Sequence, residues 1–309
     1  MVAWLFPGQG AQQVGMGKSL FEGSPAAREV FERADAALGW SITKVCFDGP
    51  PEELTRTANT QPALVTVSLA ALAALREALP DLPEPRLVAG HSLGEYSALV
   101  AAGVLTLEDA VRLVHLRGKA MQEAVPEGQG AMAAIMASAE DVIALCKDAA
   151  QDDVLAPANF NAPSQIVVAG HAAAVRRAVD LAEQRKVRAM VLNVSAPFHC
   201  SLMAPAAAAM KQALEKVELA TPRMPVVTNV EATPNTDPKR VVELLVRQVD
   251  GPVRWDQSIR FMATSGIERA IEIGPGRVLA TLVRRIDKRV KVLSVGDLVG
   301  LQKVGEFLA

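Results

Sequence analysis

A serine flanked by glycines offers the clearest chemistry in the chain, in the segment Gly90-His91-Ser92-Leu93-Gly94. The apolar segment Arg86–Ala89 before it predicts a strand, and Ser92–Ala102 predicts a helix. A G-x-S-x-G pattern between strand and helix is typical of a nucleophile elbow, which presents the serine hydroxyl at the carboxyl end of a sheet. The helix N-terminus also offers N–H donors to a developing oxyanion. A glycine-rich turn whose serine only caps the helix is the alternative. Both flanking elements favour the elbow.

A nucleophilic serine needs a general base, and the chain has four histidines. His91 is adjacent to the nucleophile, so its side chain should point elsewhere. His115 lies inside a predicted helix, and His171 follows a predicted strand. His199 lies in the predicted loop Ser195–Cys200, and catalytic groups are common in such loops. The pattern makes His199 the leading single candidate and leaves the other three open.

Two further features could bind an anion. The segment Pro7–Gly10 follows the first predicted strand, but Gln13 stands where the dinucleotide fingerprint G-x-G-x-x-G needs its third glycine. We therefore interpret it as a loop whose backbone N–H groups point at an anion near Ser92. Arg117 lies on an apolar helix face. Most such arginines are solvated, but a partly buried one would clamp a carboxylate.

The composition restricts the class of protein. The 309 residues are 50% hydrophobic, which is ample for a packed core, and the formal net charge is only -2. No overall field attracts nucleic acid or a membrane. One local cluster is either a basic patch or a solvated helix end: Arg284, Arg285, Lys288, Arg289 and Lys291.

The cellular setting is expected to be the cytoplasm. The three cysteines are scattered and form no C-x-x-C pair, which argues against a disulfide framework or a zinc site. The N-terminus lacks the basic and apolar regions of a signal peptide. The apolar stretch Ala63–Leu75 is shorter than the ~18–20 residues of a membrane span.

Predicted strands and helices alternate, which indicates an α/β fold with a mostly parallel sheet. The middle of the chain has the element order βαββαβ of a ferredoxin-like unit, starting after the Gly128–Gly130 loop and ending near Pro197. We therefore predict a large domain of residues 1–127 and 197–309, with a small domain of residues 128–196 inserted in it. The predicted helices include Pro25–Leu38, Gln61–Ala78 and Leu202–Val217. The predicted strands include Val2–Phe6, Val154–Ala158 and Gln165–Ala169, with a loop between the last two.

Together with several further motifs, these residues resemble those of a known family, the malonyl-CoA:acyl-carrier-protein transacylases. The resemblance covers essentially the whole chain, with the motifs in the family's order. They are Phe6-Pro7-Gly8-Gln9-Gly10-Ala11-Gln12, Asn59-Thr60-Gln61-Pro62-Ala63-Leu64, Gly90-His91-Ser92-Leu93-Gly94-Glu95-Tyr96, Arg117, Asn161-Ala162-Pro163-Ser164-Gln165, Pro197-Phe198-His199-Cys200, Gln248…Pro252-Val253-Arg254-Trp255 and Glu272-Ile273-Gly274-Pro275-Gly276.

The resemblance implies an α/β-hydrolase-like large domain with an inserted ferredoxin-like small domain. It implies Ser92 as the nucleophile and His199 as its base. The histidine of this family is held by a backbone carbonyl, here that of Gln248, which explains why no aspartate stands out. The backbone N–H groups of Gln9 and Leu93 are implied as the oxyanion hole.

The resemblance also implies a substrate site. Arg117 would bind the malonyl carboxylate, and Gln61 and Phe198 would contact the substrate. Bulk at Leu93 and Phe198 accompanies a choice of malonyl over methylmalonyl in related polyketide acyltransferases. A single methyl is worth only ~1–3 kcal/mol in a pocket, so this indication is moderate.

The implied reaction is malonyl transfer from malonyl-CoA to the phosphopantetheine thiol of a holo acyl carrier protein, through a ping-pong acyl-serine mechanism that supplies fatty-acid synthesis. No cofactor or metal is implied, because malonyl-CoA and coenzyme A are substrate and product. We expect a monomer that binds neither nucleic acid nor a membrane. An acidic carrier protein would dock on Lys186, Arg188, Arg284 and Arg285 near the groove between the domains.

Three alternatives stay open from the sequence. A stand-alone malonyl acyltransferase of a polyketide synthase would carry the same motifs. An esterase or acyl-thioester hydrolase would share the elbow, although a carboxylate clamp at Arg117 argues against a plain lipid esterase. A non-catalytic docking module for a carrier protein would not need Ser92, His199 and Arg117.

Overall fold

The computed structural model describes all 309 residues and contains ten strands in two separate sheets. The strands are β1 (Val2–Phe6), β2 (Leu87–Gly90), β3 (Gly130–Ile135), β4 (Leu155–Ala162), β5 (Gln165–His171), β6 (Ala189–Val191), β7 (Val226–Val227), β8 (Pro234–Asn235), β9 (Arg269–Ile273) and β10 (Lys291–Val295).

Fifteen α-helices connect and cover these strands. They are α1 (Lys18–Gly23), α2 (Pro25–Leu38), α3 (Ile42–Asp48), α4 (Pro51–Thr55), α5 (Thr57–Ala78), α6 (Gly94–Ala101), α7 (Leu107–Glu123), α8 (Ala139–Ala150), α9 (Ala172–Gln184), α10 (Ala204–Leu214), α11 (Val241–Asp250), α12 (Trp255–Thr264), α13 (Val278–Ile286), α14 (Leu298–Leu301) and α15 (Val304–Leu308). Single 3₁₀ turns lie at Ser201–Met203 and Pro238–Arg240.

The larger sheet has six strands in the order β10-β9-β1-β2-β7-β8, and all its pairs are parallel except β7–β8. Side chains of β1 alternate between two cores. Trp4 and Phe6 pack with α5, α7, α10 and α11 on one face, whereas Ala3 and Leu5 pack with α12 and α13 on the other. Apolar residues on both faces therefore hold the carboxyl ends of β1 and β2 side by side.

The second sheet is antiparallel, with the order β4-β5-β3-β6. Its elements follow one another as β3-α8-β4-β5-α9-β6, and α8 and α9 share its own apolar core. Strand β4 also contacts the larger sheet's unit, because the Phe160 N–H donates to the carbonyl of Val253 and the Val253 N–H donates to that of Ala158. These backbone hydrogen bonds of 2.8 and 2.9 Å fix one side of the groove between the sheets.

Strand β4 is longer than the pattern predicts. The predicted loop after Ala158 is strand up to Ala162, and only Pro163 and Ser164 separate β4 from β5. The prediction failed because asparagine is rare in strands, whereas here Asn159 pairs with Val167 beside a register shift. Asn159 and Asn161 therefore lie on the strand that lines the groove.

Helix α5 begins at Thr57, four residues before the predicted start, and contains Pro62. Its 22 residues are long and apolar enough to cross a membrane by length and composition alone. However, 83% of the relevant window is buried inside the protein, where α5 packs mainly against α2 and α7. Its apolar character therefore serves the core of this fold.

The predicted helix Leu202–Val217 is shorter in the structure. A 3₁₀ turn at Ser201–Met203 leads into α10, which carries Pro205 in its first turn and ends at Leu214. Proline fits the first turn of a helix because its missing N–H would have no partner there.

Candidate active site

The nucleophile elbow is built by the close approach of two loops. Ser92 lies between β2 and α6 with φ of 51°, in the left-handed region that L-residues rarely adopt. A side chain on Gly90 would collide with the backbone of Gly94, and one on Gly94 would collide with the carbonyl of Phe6. The two glycines therefore allow the strained turn and bring the end of β1 against it.

Ser92 and His199 are in direct contact. The Oγ of Ser92 lies 2.7 Å from the Nε2 of His199, and the Nδ1 of that ring lies 2.8 Å from the backbone carbonyl of Gln248. A carbonyl oxygen only accepts, so the Nδ1–H donates to Gln248 and Nε2 is left to accept the serine proton. His199 also has a positive φ, of 62°, and is 4% exposed.

Burial determines the charge of this histidine. Desolvation is the main cause that lowers the pKa of His199 to about 3, and the nearby positive charge of Arg117 adds to it. The hydrogen bond to Gln248 opposes the shift. The imidazole is therefore neutral near pH 7, the state that can take a proton.

Two backbone N–H groups near Ser92 have no acceptor within the protein. They belong to Gln9, in the loop after β1, and to Leu93, at the start of α6. Both residues line the pocket that contains Ser92. Unpaired donors beside a serine hydroxyl can stabilise a tetrahedral oxyanion.

Arg117 is buried, with only 1% of its surface exposed, and its charge has no direct carboxylate partner. Its Nη2 donates to the Oγ of Ser92 at 3.1 Å and to the Oε1 of Gln248 at 2.9 Å. Its Nη1 donates to the Oε1 of Gln61 at 2.9 Å, and its Nε has no partner. Because the hydrogen-bond partners of this buried cation are all neutral, its charge is not compensated by a direct ion pair. The site therefore suits an anionic ligand, which would supply the missing negative charge.

The pocket around these residues has a volume of about 1030 Å³ and is lined from both sheets. Leu93 and Phe198 form part of its apolar wall, and Gln61 lies beside Arg117. The structure thus brings together the residues that the resemblance implied for catalysis and substrate binding: Gln9, Gln61, Ser92, Leu93, Arg117, Phe198, His199 and Gln248.

The other three histidines have partners elsewhere. The Nε2 of His91 lies 2.7 Å from the Oδ1 of Asn161. His115 hydrogen-bonds the carbonyl of Ala58, and His171 contacts Asp153 and the N–H of Val154. None of the three side chains hydrogen-bonds the Ser92 hydroxyl.

The pattern missed the polar groups beneath the elbow. Asn229 accepts a hydrogen bond of 2.6 Å from the Ser92 N–H, and Glu95 accepts one of 2.7 Å from the Gln248 side chain. Glu95 belongs to the motif Gly90–Tyr96. The sequence signal that could have marked it is a charged residue in the otherwise apolar helix α6. Asn229 lies in a turn after β7, where nothing in the sequence marks it.

The structure contains no group of three or more His, Cys, Asp or Glu side chains that could hold a metal ion. All three cysteines are free and buried.

Comparison with known proteins shows the family to which the chain belongs. Residues 3–306 match the acyl transferase domain family. The chain is 45% identical to a malonyl CoA-acyl carrier protein transacylase of Haemophilus influenzae, over 99% of this chain and 98% of that one. An acyl-carrier-protein S-malonyltransferase structure from Bartonella henselae superimposes with a TM-score of 0.96 at 46% identity, covering 99% of each chain. A malonyl-transacylase solved in complex with a type II PKS acyl-carrier protein has a TM-score of 0.95 at 43% identity, again covering 99% of each chain. The chain therefore belongs to the acyl transferase domain family, among the malonyl CoA-acyl carrier protein transacylases.

Proposed function

We propose that this enzyme transfers the malonyl group of malonyl-CoA to the phosphopantetheine thiol of an acyl carrier protein, in a ping-pong reaction through an ester on Ser92. The observation that carries the proposal is the hydrogen bond of 3.1 Å between the buried Arg117 guanidinium and the Ser92 hydroxyl. A fixed positive charge at the nucleophile selects an acyl group with a carboxylate close to its reacting carbon, as in malonyl.

Acylation begins when His199 takes the Ser92 proton while the hydroxyl oxygen attacks the thioester carbon. The N–H groups of Gln9 and Leu93 donate to the resulting oxyanion, and such a donor contributes roughly 3 kcal/mol. The thiolate of coenzyme A then leaves and takes the proton from His199. The phosphopantetheine thiol repeats the same steps in the second half-reaction, so one base serves both directions.

Arg117 and its neighbours would hold the acyl group during both steps. A guanidinium has five N–H donors, and in the free site the guanidinium of Arg117 makes three hydrogen bonds, to Gln61, Ser92 and Gln248. Release of the contact to Ser92 when the ester forms leaves donors for a bidentate contact with the malonyl carboxylate. Gln61 would keep the guanidinium in this orientation. Leu93 and Phe198 would crowd an α-methyl group.

We describe the architecture as an α/β-hydrolase-like domain of residues 1–127 and 197–309 with a ferredoxin-like domain of residues 128–196 inserted. The two separate sheets and the βαββαβ order of the inserted elements support this division. The free, buried cysteines are compatible with a reducing cytoplasm. No cofactor is required, because the serine, the histidine and backbone donors supply the chemistry. A monomer stays our expectation.

The carrier protein would dock at one end of the four-stranded sheet. The Arg188 carbonyl accepts from Met136 N–H at this end, and the Arg285 guanidinium contacts Gln165 on the neighbouring strand. Lys186, Arg188, Arg284 and Arg285 are all exposed. This cluster of positive charge fits an acidic carrier.

The transferred malonyl group supplies fatty-acid synthesis. Delivery to a polyketide carrier is the second candidate function, because a similar malonyl-transacylase has been solved with a type II PKS acyl-carrier protein. Turnover with purified fatty-acid and polyketide carrier proteins would separate the two.

The deciding experiment follows the intact mass of the protein in two steps. Malonyl-CoA alone should add one malonyl mass, and holo carrier protein should then remove it while gaining that mass itself. An adduct that water removes faster than the carrier does would favour a thioester hydrolase instead.

A further inference from the structure

The buried carboxylate of Glu95 lies behind the active site, outside the pocket. It is in the first turn of α6, is 2% exposed and does not line the cavity that contains Ser92. Its Oε2 accepts hydrogen bonds from the side-chain Nε2 of Gln248 at 2.7 Å and from the backbone N–H of Asn229 at 3.1 Å. Neither the acyl-transfer steps nor the resemblance to the family assigns it a role.

Both of these partners hold the strained backbone of the nucleophile. The Oδ1 of Asn229 accepts from the Ser92 N–H at 2.6 Å, and the Nε2 of Gln248 donates to the Ser92 carbonyl at 2.9 Å. Asn229 also donates to the carbonyl of Gly90, at 2.7 Å. A non-glycine residue at φ of 51° persists only where its surroundings hold it, and here they hold both the N–H and the carbonyl of Ser92, one in each of the two peptide units that flank its Cα.

Glu95 also determines which way the Gln248 amide faces. The NH₂ end of Gln248 faces two acceptor oxygens, the Oε2 of Glu95 at 2.7 Å and the Ser92 carbonyl at 2.9 Å. The Oε1 end then faces Arg117, where it accepts from Nη2 at 2.9 Å. A reversed amide would set oxygen against carboxylate and NH₂ against guanidinium. The main-chain carbonyl of the same Gln248 holds His199.

We propose that Glu95 is a positioning residue that acts through Gln248 and Asn229 to hold the Ser92 backbone and the Gln248 amide in their reactive arrangement. The proposal rests on the acyl-transfer function given above, because it concerns the rate at which Ser92 is acylated. The Oε2 of Glu95 is thus connected to Ser92 through Asn229 and Gln248. Gln248 also holds His199 through its main-chain carbonyl and accepts from Arg117 through its side chain.

Two variants of Glu95 test separately the position of its acceptor oxygen and its negative charge. Glu95→Asp keeps the charge but withdraws the carboxylate by about one C–C bond, roughly 1.5 Å, from both donors. Glu95→Gln keeps an acceptor oxygen in place and removes the charge. We expect kcat for acylation by malonyl-CoA to fall roughly 10²-fold in Glu95→Asp, with KM little changed, because misplacement by about 1 Å costs on that order. Glu95→Gln should stay within about tenfold of the wild type.

Glu272→Asp is the matched control. Glu272 is fully buried at the end of β9 and accepts from the N–H groups of Leu279 and Ala280 and from the hydroxyl of Ser294. Shortening it should lower the thermal midpoint and leave kcat unchanged below that midpoint. A purely structural role for Glu95 predicts the same behaviour in Glu95→Asp.

Wild-type kcat in folded Glu95→Asp would overturn the proposal, and so would a Glu95→Gln variant as slow as Glu95→Asp. Gln248→Leu tests the relay from its other end, since it keeps the main-chain carbonyl for His199 and removes the amide that Glu95 holds. Unchanged kcat there would contradict the proposal even if Glu95→Asp did not fold. Failure of the wild type itself to form an acyl-serine would overturn the proposed function instead.

Discussion

Arg117 and Ser92 share a hydrogen bond of 3.1 Å although they are 25 positions apart in the sequence, because α7 packs against α6, the helix that follows the elbow. The serine oxygen accepts from the guanidinium and donates to His199, so both interactions converge on the atom that would carry the acyl group in the proposed reaction. The proposed mechanism therefore combines nucleophilic attack and recognition of an anionic acyl group at one atom.

Replacement of Arg117 should change substrate preference rather than only rate. Arg117→Ala should lower kcat/KM for malonyl-CoA by roughly 10²-fold or more, since loss of a buried charge partner costs about 3–5 kcal/mol. Activity on acetyl-CoA should fall less. Arg117→Lys should restore part of the preference, because an ammonium cannot make the bidentate contact. Equal malonyl-to-acetyl ratios of kcat/KM in all three proteins would exclude the clamp.

Loss of His199 should slow both half-reactions. His199→Ala is expected to lower acylation by malonyl-CoA and transfer to the carrier by roughly 10²- to 10⁴-fold each, the usual contribution of a general base. His115→Ala and His171→Ala are the controls, since their rings contact Ala58 and Asp153 outside the site. Stopped-flow rates for the two half-reactions provide the measurement. Near-normal turnover without His199 would contradict its role.

The pH dependence of acylation should lack the inflection of an ordinary histidine. The pKa of His199 is lowered to about 3, chiefly by burial, so the imidazole stays neutral as the pH falls from 8 to about 5. Glu95 takes up a proton within this range but can keep both hydrogen bonds when its other oxygen is protonated. We therefore expect kcat/KM for malonyl-CoA to stay level across the range. A decline centred near pH 6.5 would show that His199 titrates normally.

Glu95 should make stability depend on pH. Burial raises its pKa from 4.5 to about 7, so the folded state binds this proton more tightly than the unfolded state does. The resulting stabilisation is complete below about 4.5 and is lost as the pH rises through about 7. Glu95→Gln has no such loss. Its thermal midpoint relative to the wild type should therefore rise from pH 5 to pH 8, and a constant difference would contradict this linkage.

Carrier docking should be sensitive to salt. Reversal of charge in Arg188→Glu and Arg285→Glu should raise KM for the carrier protein and reduce its dependence on ionic strength. Lys211→Glu is the control, because α10 covers the opposite face of the six-stranded sheet from α13. Steady-state kinetics at several salt concentrations measure the effect. A KM that does not respond to salt in the wild type would argue against electrostatic docking.

The sequence predicted the elements that periodic apolar residues define. Strand β1 and helix α2 have the predicted bounds, and the strand–turn–helix around Ser92 lies where the glycines indicated. Backbone features escaped prediction from the residues alone. The Gln248 carbonyl carries no side-chain signal, and its use as the partner of His199 was suggested only by the family resemblance. Glu95 and Asn229 acquire their roles from long-range packing that brings α11 and the turn after β7 beneath the elbow.

The most direct test of the account is the location of the acyl group. After brief mixing with malonyl-CoA, digestion and tandem mass spectrometry should find one malonyl group per protein on the hydroxyl of Ser92. Ser92→Ala should carry none, although Arg117 and the pocket remain. A malonyl adduct on another residue of the wild type, or one of equal yield in Ser92→Ala, would contradict the account.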